Sequence, residues 1–367
     1  MQTLEECYKE IAKDHDRWSY YDQNSPDICN TWENEERVYK FIKDYFTYAG
    51  KSEVVTDEHL RAHKGRIEGR APHIISTFLL GIKIAESFGI DITTRNSNSM
   101  NFKYYWFLTC LYHDFGYAYE SAPDCKGLTK VRVNGIDALK EICDLQHTMA
   151  TCEFQTYPKG IVDFYLKYRA ADCAKLDHGI VGGLLLYDKL KKQFYMAQQN
   201  ENIQLCAEDK SSFLLKQPDG HTLCWSVCDF AAYAKAADAI ISHNIWKKTL
   251  KDFYKKYETD EGFSKADQGI IMSDEKITLS DNELGFILAI ADTIEPLKKN
   301  VPLDSFMIES LPGGEKGFEL HINKGNINLD TSKGFIDNIK SLKDWVDVDV
   351  EVPESNDDCA IVKIASK

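Results

Sequence analysis

Six residues of this chain carry side chains able to hold metal ions, and each is set among apolar or small neighbours: His73, His113, Asp114, His178, His243 and Asp292. His73 shares a helical face with Ser76, Thr77, Leu80 and Gly81, and His243 has Ala236, Ala239 and Ile240 on its inner side. His178 opens a helix whose same face carries Val181, Gly182 and Leu185. Asp292 follows Gly285, Leu288 and Ala289 at helical spacing, and His113 and Asp114 end the aromatic run 104–112. A carboxylate in such surroundings is very costly unless it is neutralised, paired or metal-bound. Taken one at a time, each residue has an ordinary explanation: a hydrogen-bonded core histidine, an interhelical anchor at Asp292, a helix cap at His178. Four histidines and two aspartates together favour a shared centre, and the small residues beside them leave room for ion and substrate. Imidazole with carboxylate suits iron, manganese, nickel or zinc. The other histidines (His15, His59, His63, His147, His221 and His321) lie in polar, loop or terminal contexts and do not compete.

The elements that must position these residues are helical up to about residue 300. Apolar periodicity predicts helices over 4–13, 33–48, 72–88, 102–112, 136–146, 160–171, 178–195, 230–246 and 282–294. Pro72 suits a first turn, and Ser280 or Asp281 is a candidate cap for the last helix. The segment 197–228 breaks the pattern, and its turn sequence at 217–221 predicts a hairpin insertion between two short strands. A second insertion, 247–279, is charged and reads as a surface excursion. After Pro296 the character changes: 306–309 and 318–323 alternate like strands around Gly313-Gly314, 331–346 predicts a helix, and 348–352 and 360–364 predict strands. The expected fold is therefore mainly α, an all-helical core with a hairpin insertion and a small α+β C-terminal appendage. The expected divisions are an N-terminal helical segment over 1–55, the main domain over 56–300 with insertions near 120–175, 197–228 and 247–279, and the appendage over 301–367.

Bulk properties narrow the function. The formal net charge of -14 argues against an extended nucleic-acid surface, which needs many lysines and arginines, but not against a pocket for one small anion. The polar opening Met1-Gln-Thr-Leu-Glu-Glu does not resemble a signal peptide, and the apolar stretches at 104–111 and 286–291 are too short to cross a bilayer. The 11 cysteines are scattered, with only a weak CxxxC at Cys224 and Cys228, while Cys110, Cys143 and Cys173 fall in apolar helical stretches as small hydrophobes. This usage predicts a reduced, cytoplasmic protein with no zinc ribbon.

The order H…HD…H…H…D resembles the HD superfamily of metal-dependent phosphohydrolases. The local words that carry the resemblance are Leu111-Tyr-His-Asp-Phe-Gly, His178-Gly-Ile-Val-Gly-Gly, Ala239-Ile-Ile-Ser-His and Ile290-Ala-Asp-Thr-Ile-Glu-Pro. They look most like the branch that hydrolyses diadenosine tetraphosphate symmetrically, and they are also similar to the HD nuclease of CRISPR-associated helicases. The resemblance implies two divalent ions, one held by His73, His113 and Asp292, the second by His178 and His243, with Asp114 bridging both. Asp114, His178 and His243 are then the catalytic candidates, and the implied reaction is hydrolysis of a phosphoester or phosphoanhydride in a small nucleotide by metal-activated water. Four departures from the relatives matter, the first being the long spacing of 65 residues from His113 to His178, which an extra helical insertion would explain. Tyr117 stands where many relatives place a lysine, Leu297-Lys298-Lys299 stands where an arginine tends to follow in the diadenosine branch, and the appendage has no counterpart in that branch. The phosphate contact falls to Arg66 and Arg70, with Lys298 and Tyr117 as further substrate contacts and Lys83, Lys126 and Arg132 as other options. Tyr117 can stack on a base or simply pack as an aromatic. Two alternatives remain: a nuclease on single strands, for which no helicase motif such as G-x-x-x-x-G-K-[ST] is present, and a non-catalytic metal-binding signalling module.

Overall fold

The computed structural model describes residues 1–19, 27–48, 71–92, 102–120, 124–199, 203–205, 212–216, 222–226, 229–258, 265–273, 275–327, 329–356 and 358–367. The helices among them, in chain order, are α1 (Leu4–Lys13), α2 (His15–Trp18), α3 (Glu35–Tyr48), α4 (Ala71–Ser87), α5 (Phe102–Tyr112) and α6 (Tyr117–Glu120). Next come α7 (Cys125–Asn134), α8 (Ile136–Ile142), α9 (Lys159–Asp172), α10 (His178–Gln198) and α11 (Asp229–Ser242). They are followed by α12 (Lys247–Tyr257), α13 (Lys265–Met272), α14 (Glu283–Ile294) and α15 (Leu329–Ser341). The protein is mainly α with a small antiparallel sheet near its C-terminus.

Helices α4, α5 and α14 are buried on nearly every side, and a helix of that kind must be surrounded by protein. Helix α4 packs on α5 and α14, α11 packs on α5, α10 and α14, and α10 also touches α5. Outside them, α3 seals the bundle through an aromatic cluster in which Phe46 stacks on Phe107 at 5.5 Å and Phe78 lies 4.6 Å from the same ring. Two caps set where the site helices begin. Asp177 accepts the amide of Ile180 at 3.0 Å and so starts α10 at His178. Asn282 accepts the amide of Gly285 at 3.1 Å and, through its side-chain amide, donates to buried Asp238 at 3.0 Å.

The appendage is a five-stranded antiparallel sheet in the order β1-β5-β6-β8-β7, from β1 (Gln2–Thr3), β5 (Phe306–Ser310), β6 (Gly317–Asn323), β7 (Val348–Ser355) and β8 (Cys359–Ser366). Its inner face alternates as a half-buried sheet should, with Phe318, Leu320 and Ile322 of β6 and Ala360, Val362 and Ile364 of β8 inward. Phe88, just after α4, lies edge-on to Phe286 and Phe318 and so ties the sheet to the helical core. The insertion strands β2 (Ile203–Leu205), β3 (Ser212–Lys216) and β4 (Thr222–Ser226) form a second antiparallel sheet of three.

Several expectations need correction. The cap of α14 is Asn282 rather than Ser280 or Asp281, because only its side chain reaches the first-turn amide while also bonding across to Asp238. Helix α8 stops at Ile142, since Asp144 takes a left-handed φ of 52° and the next amides, of Gln146 and His147, bond to Asp188 instead. The segment 247–279 is not a surface excursion. Its two helices bury Leu250 and Ile271, Trp246 stacks on Trp345 at 5.4 Å, and Ile277 pairs with Val346. Cys143 is only half-buried and Cys173 is exposed, because both sit at helix ends rather than inside helices. The hairpin expected at 197–228 has a third strand, and its turn 217–221 lies outside the described residues. The pairing of the N-terminal residues with β5 is not signalled by their sequence.

Gly182 shows how tightly the site helices meet. A Cβ there would lie 2.5 Å from the carbonyl oxygen of Tyr112. Gly182→Ala is therefore expected to cost about 3 kcal/mol or more of unfolding free energy. Gly269→Ala, on an exposed helical face with open space around it, should instead stabilise by up to about 1 kcal/mol. Chemical denaturation of the two variants checks both signs, and equal effects would show that the close helix crossing is misplaced.

Candidate metal centre

The six residues singled out from the sequence come together at the ends of α5, α10, α11 and α14 and in the first turn of α4. His73, His113 and Asp292 present donor atoms within 4.8 Å of one another. Oδ1 of Asp292 is 3.2 Å from His73 Nε2 and 3.5 Å from His113 Nε2, and the two Nε2 atoms are 3.1 Å apart. Asp114 adjoins this group, 3.5 Å from His113 Nε2 and 3.7 Å from His73 Nε2, and reaches His178 Nε2 at 3.9 Å. The ring of His243 lies 5.6 Å from that of His113 and 5.5 Å from that of His178.

What stands behind each imidazole decides what faces the centre. His113 Nδ1 donates to the carbonyl of Cys110 at 2.7 Å, and His243 Nδ1 donates to the carbonyl of Ile240 at 2.5 Å. A carbonyl can only accept, so in the neutral ring the proton is on Nδ1 and Nε2 carries a lone pair. Nδ1 of His73 bonds to Glu295 Oε2 at 2.6 Å, and Nδ1 of His178 faces Glu120 Oε1 at 3.8 Å. The rings of His73, His113 and His243 are thus held from behind with Nε2 turned inward, the arrangement by which outer groups orient metal-binding histidines. His243 Nε2 is buried and has no hydrogen-bond partner. A bare, inward lone pair of that kind, beside two carboxylates, fits a divalent cation.

The electrostatics agree. Burial drives the His243 imidazole down to about 3, with His178 and His113 adding to the effect, so it is neutral at ordinary pH. Burial also works against charge on His73, yet Glu295 and Asp292 outweigh it and hold that ring up at about 9. Despite burial, His113, Lys298 and His73 keep Asp114 well below the usual carboxylate range, and Lys298 and the histidines do the same for Asp292. His178, followed by Arg169, holds Glu120 down at about 2.

Sequence reasoning missed the groups behind the ligands. Glu295 is buried and fully engaged: besides His73 it accepts from Ser76 Oγ at 2.5 Å and from the amides of Leu297 and Lys298 at 2.9 and 2.8 Å. Tyr8 of α1 bonds to Ser76 at 2.9 Å and extends the chain outward. On the other side, Arg169 joins Glu120 at 3.1 Å to Asp177 at 3.3 Å, and Asp177 accepts from Asn244 at 2.7 Å, the residue after His243. Glu295 stands inside the quoted Ile-Ala-Asp-Thr-Ile-Glu-Pro word, which was the available signal. Glu120 and Arg169 carry none.

The substrate contacts fare differently. Tyr117 stacks on the His178 ring at 3.8 Å and 16°, so one face of it braces that imidazole. Lys298 is at the centre, its ammonium 2.7 and 2.8 Å from the two oxygens of Asp292. Lys83 bonds to Ser310, Arg132 to the carbonyl of Ala170, and Lys126 is exposed, so none of these three joins the cluster. Arg66 and Arg70, like His59 and His63, lie outside the described residues. Among the described residues no helix is long and apolar enough to cross a membrane. Comparison with protein-family models, with curated proteins and with solved structures finds no match to this chain.

An ion entering beside His73 displaces a proton from a group that titrates near 9. Apparent affinity should therefore rise by about tenfold per pH unit from 7 and level off near 9. Glu295→Gln should move the plateau to lower pH and weaken binding on the plateau by about 10- to 100-fold. Competition against a chelating dye measures both, and a flat profile from pH 7 to 9 would remove His73 from the ligand set.

Proposed function

We propose that this chain is a metal-dependent phosphohydrolase of the HD type, acting on a phosphoester or phosphoanhydride of nucleotide size. The observation that carries the reading is the inward set of Nε2 atoms around Asp114 and Asp292, three of them backed by a hydrogen bond at Nδ1. Divalent ions bound there would supply an activated water and polarise a phosphoryl oxygen. In this reading His73, His113 and Asp292 hold one ion, His178 and His243 hold a second, and Asp114 touches both groups, as its distances to His113 and His178 support.

The remaining roles belong to the protein's own groups. Glu295 and the two backbone carbonyls keep three rings in one tautomer, and Tyr117 keeps His178 from turning. Glu120 faces Nδ1 of His178 at ion-pair distance and is itself fixed by Arg169. Preorganised donors of this kind cost no reorganisation as charge develops on phosphorus. Lys298, bonded to Asp292 and a quarter exposed, is a cation placed to meet a substrate phosphate.

Substrate size follows from charge. A -14 protein repels a long strand unless a dense basic stripe compensates, whereas a local cationic centre attracts one compact anion. The protein loaded in turn with manganese, iron and nickel is to be screened against nucleotides, dinucleoside polyphosphates, cyclic dinucleotides and short oligonucleotides. Turnover of a small nucleotide should exceed that of the oligonucleotide, and elemental analysis should approach about two ions per chain. Asp114→Ala should abolish turnover and lose both ions, while His178→Ala should lose one. Faster cleavage of single-stranded DNA would replace this reading with a nuclease, and bound metal without any turnover would replace it with a binding module.

A further inference from the structure

We propose that Lys298 is a displaceable counter-cation: its ammonium holds the Asp292 carboxylate while no ion is bound, and on metal loading it swings outward to become a phosphate-binding group. The inference rests on the metal-centre reading above and adds a coupling between metal and anion that the reading does not contain.

One atom is contested. Oδ1 of Asp292 is the carboxylate oxygen that faces both His73 Nε2 and His113 Nε2, at 3.2 and 3.5 Å. The same oxygen lies 2.7 Å from the Lys298 ammonium, which also bonds to Oδ2 at 2.8 Å. A divalent ion coordinated by Oδ1 and an ammonium at bonding distance from it would put three positive charges side by side, in a pocket with little water to screen them. The two cations therefore compete for that oxygen. Only Lys298 is tethered, and its tether shows how it leaves.

The main chain of Lys298 is fixed. Its amide donates to Glu295 Oε2 at 2.8 Å, the amide of Leu297 donates to Oε1 at 2.9 Å, and Glu295 is in turn bonded to His73. The four-carbon side chain runs from that anchor to Asp292 and is already a quarter exposed. Released from Asp292, the ammonium keeps three donors, stays within a side-chain length of the centre, and lacks an anion. A phosphate oxygen is the partner whose chemistry fits. Lys299 offers an internal contrast, since its ammonium lies 5.1 Å from the Phe335 ring.

The test uses Mn(II) and inorganic phosphate as probes of the full chain. In Lys298→Met, Mn(II) affinity should rise by about tenfold or more, because the competitor is gone. Phosphate affinity of the Mn-loaded variant should fall by a similar factor. Lys298→Arg should keep the wild-type Mn(II) affinity, and Lys299→Met, which removes a charge of the same sign one residue away, should change it by less than about twofold. Mn(II) binding no tighter in Lys298→Met than in wild type overturns the inference alone. An equal rise in Lys299→Met also overturns it, since the effect would then be general charge. Wild-type protein that binds Mn(II) no better than Asp292→Ala overturns the metal centre, and the inference with it.

Discussion

Three carboxylates of this protein, Asp114, Asp292 and Glu295, lie within one hydrogen-bonded or ion-paired cluster, and Asp114 and Glu295 are about 99% buried. Taking such groups out of water costs several kcal/mol each, and the surrounding architecture is organised by that cost. His73 meets all three of them. Lys298 and His113 neutralise part of the remainder, and the backbone amides at Leu297 and Lys298 satisfy Glu295. Helices α4, α5 and α14 are buried on nearly every side, which keeps most of these charges away from solvent.

The two halves of the cluster are supported differently. His73 and Asp292 belong to a carboxylate-rich side that reaches outward through Ser76 to Tyr8 of α1. His178 and His243 belong to a side braced by Arg169, which spans Glu120 and Asp177 and so ties the end of α9 to the start of α10. The segment between His113 and His178 is therefore part of the support of the cluster. It supplies the arginine that steadies the third histidine.

How much of this was legible in the sequence depends on whether a residue's meaning lies near it in the chain. The cluster residues were visible because each is a polar letter inside an apolar helical word, as in Leu-Ala-Ile-Ala-Asp ending at Asp292. The helix ranges were visible for the same reason, and α1 and α5 match their expected limits. Glu120 and Arg169 were not, because they are charged residues in an insertion and their partnership spans 49 positions. Lys298 was visible as a nearby cation but not as the partner of Asp292, since nothing in a turn sequence tells which way a lysine reaches. The buried faces of 247–279 were hidden by the charges between them: Lys247, Leu250 and Phe253 read as a mixed segment until they are placed on one helix.

Gly116 and Gly182 bring two main chains into contact at the site. A Cβ on Gly116 would fall 1.9 Å from the carbonyl oxygen of His178, and one on Gly182 would fall 2.5 Å from that of Tyr112. The doublet His113-Asp114 and the residue His178 are thus spaced by backbone against backbone, with no flexible side chain between to take up slack. A frame of that kind is mechanically stiff, because interiors packed at crystal density do not yield gradually. Stiffness turns spacing into a ruler. Where ligands can follow an ion, intrinsic affinity ranks the first-row metals; where they cannot, ionic radius and preferred geometry decide which of them is retained.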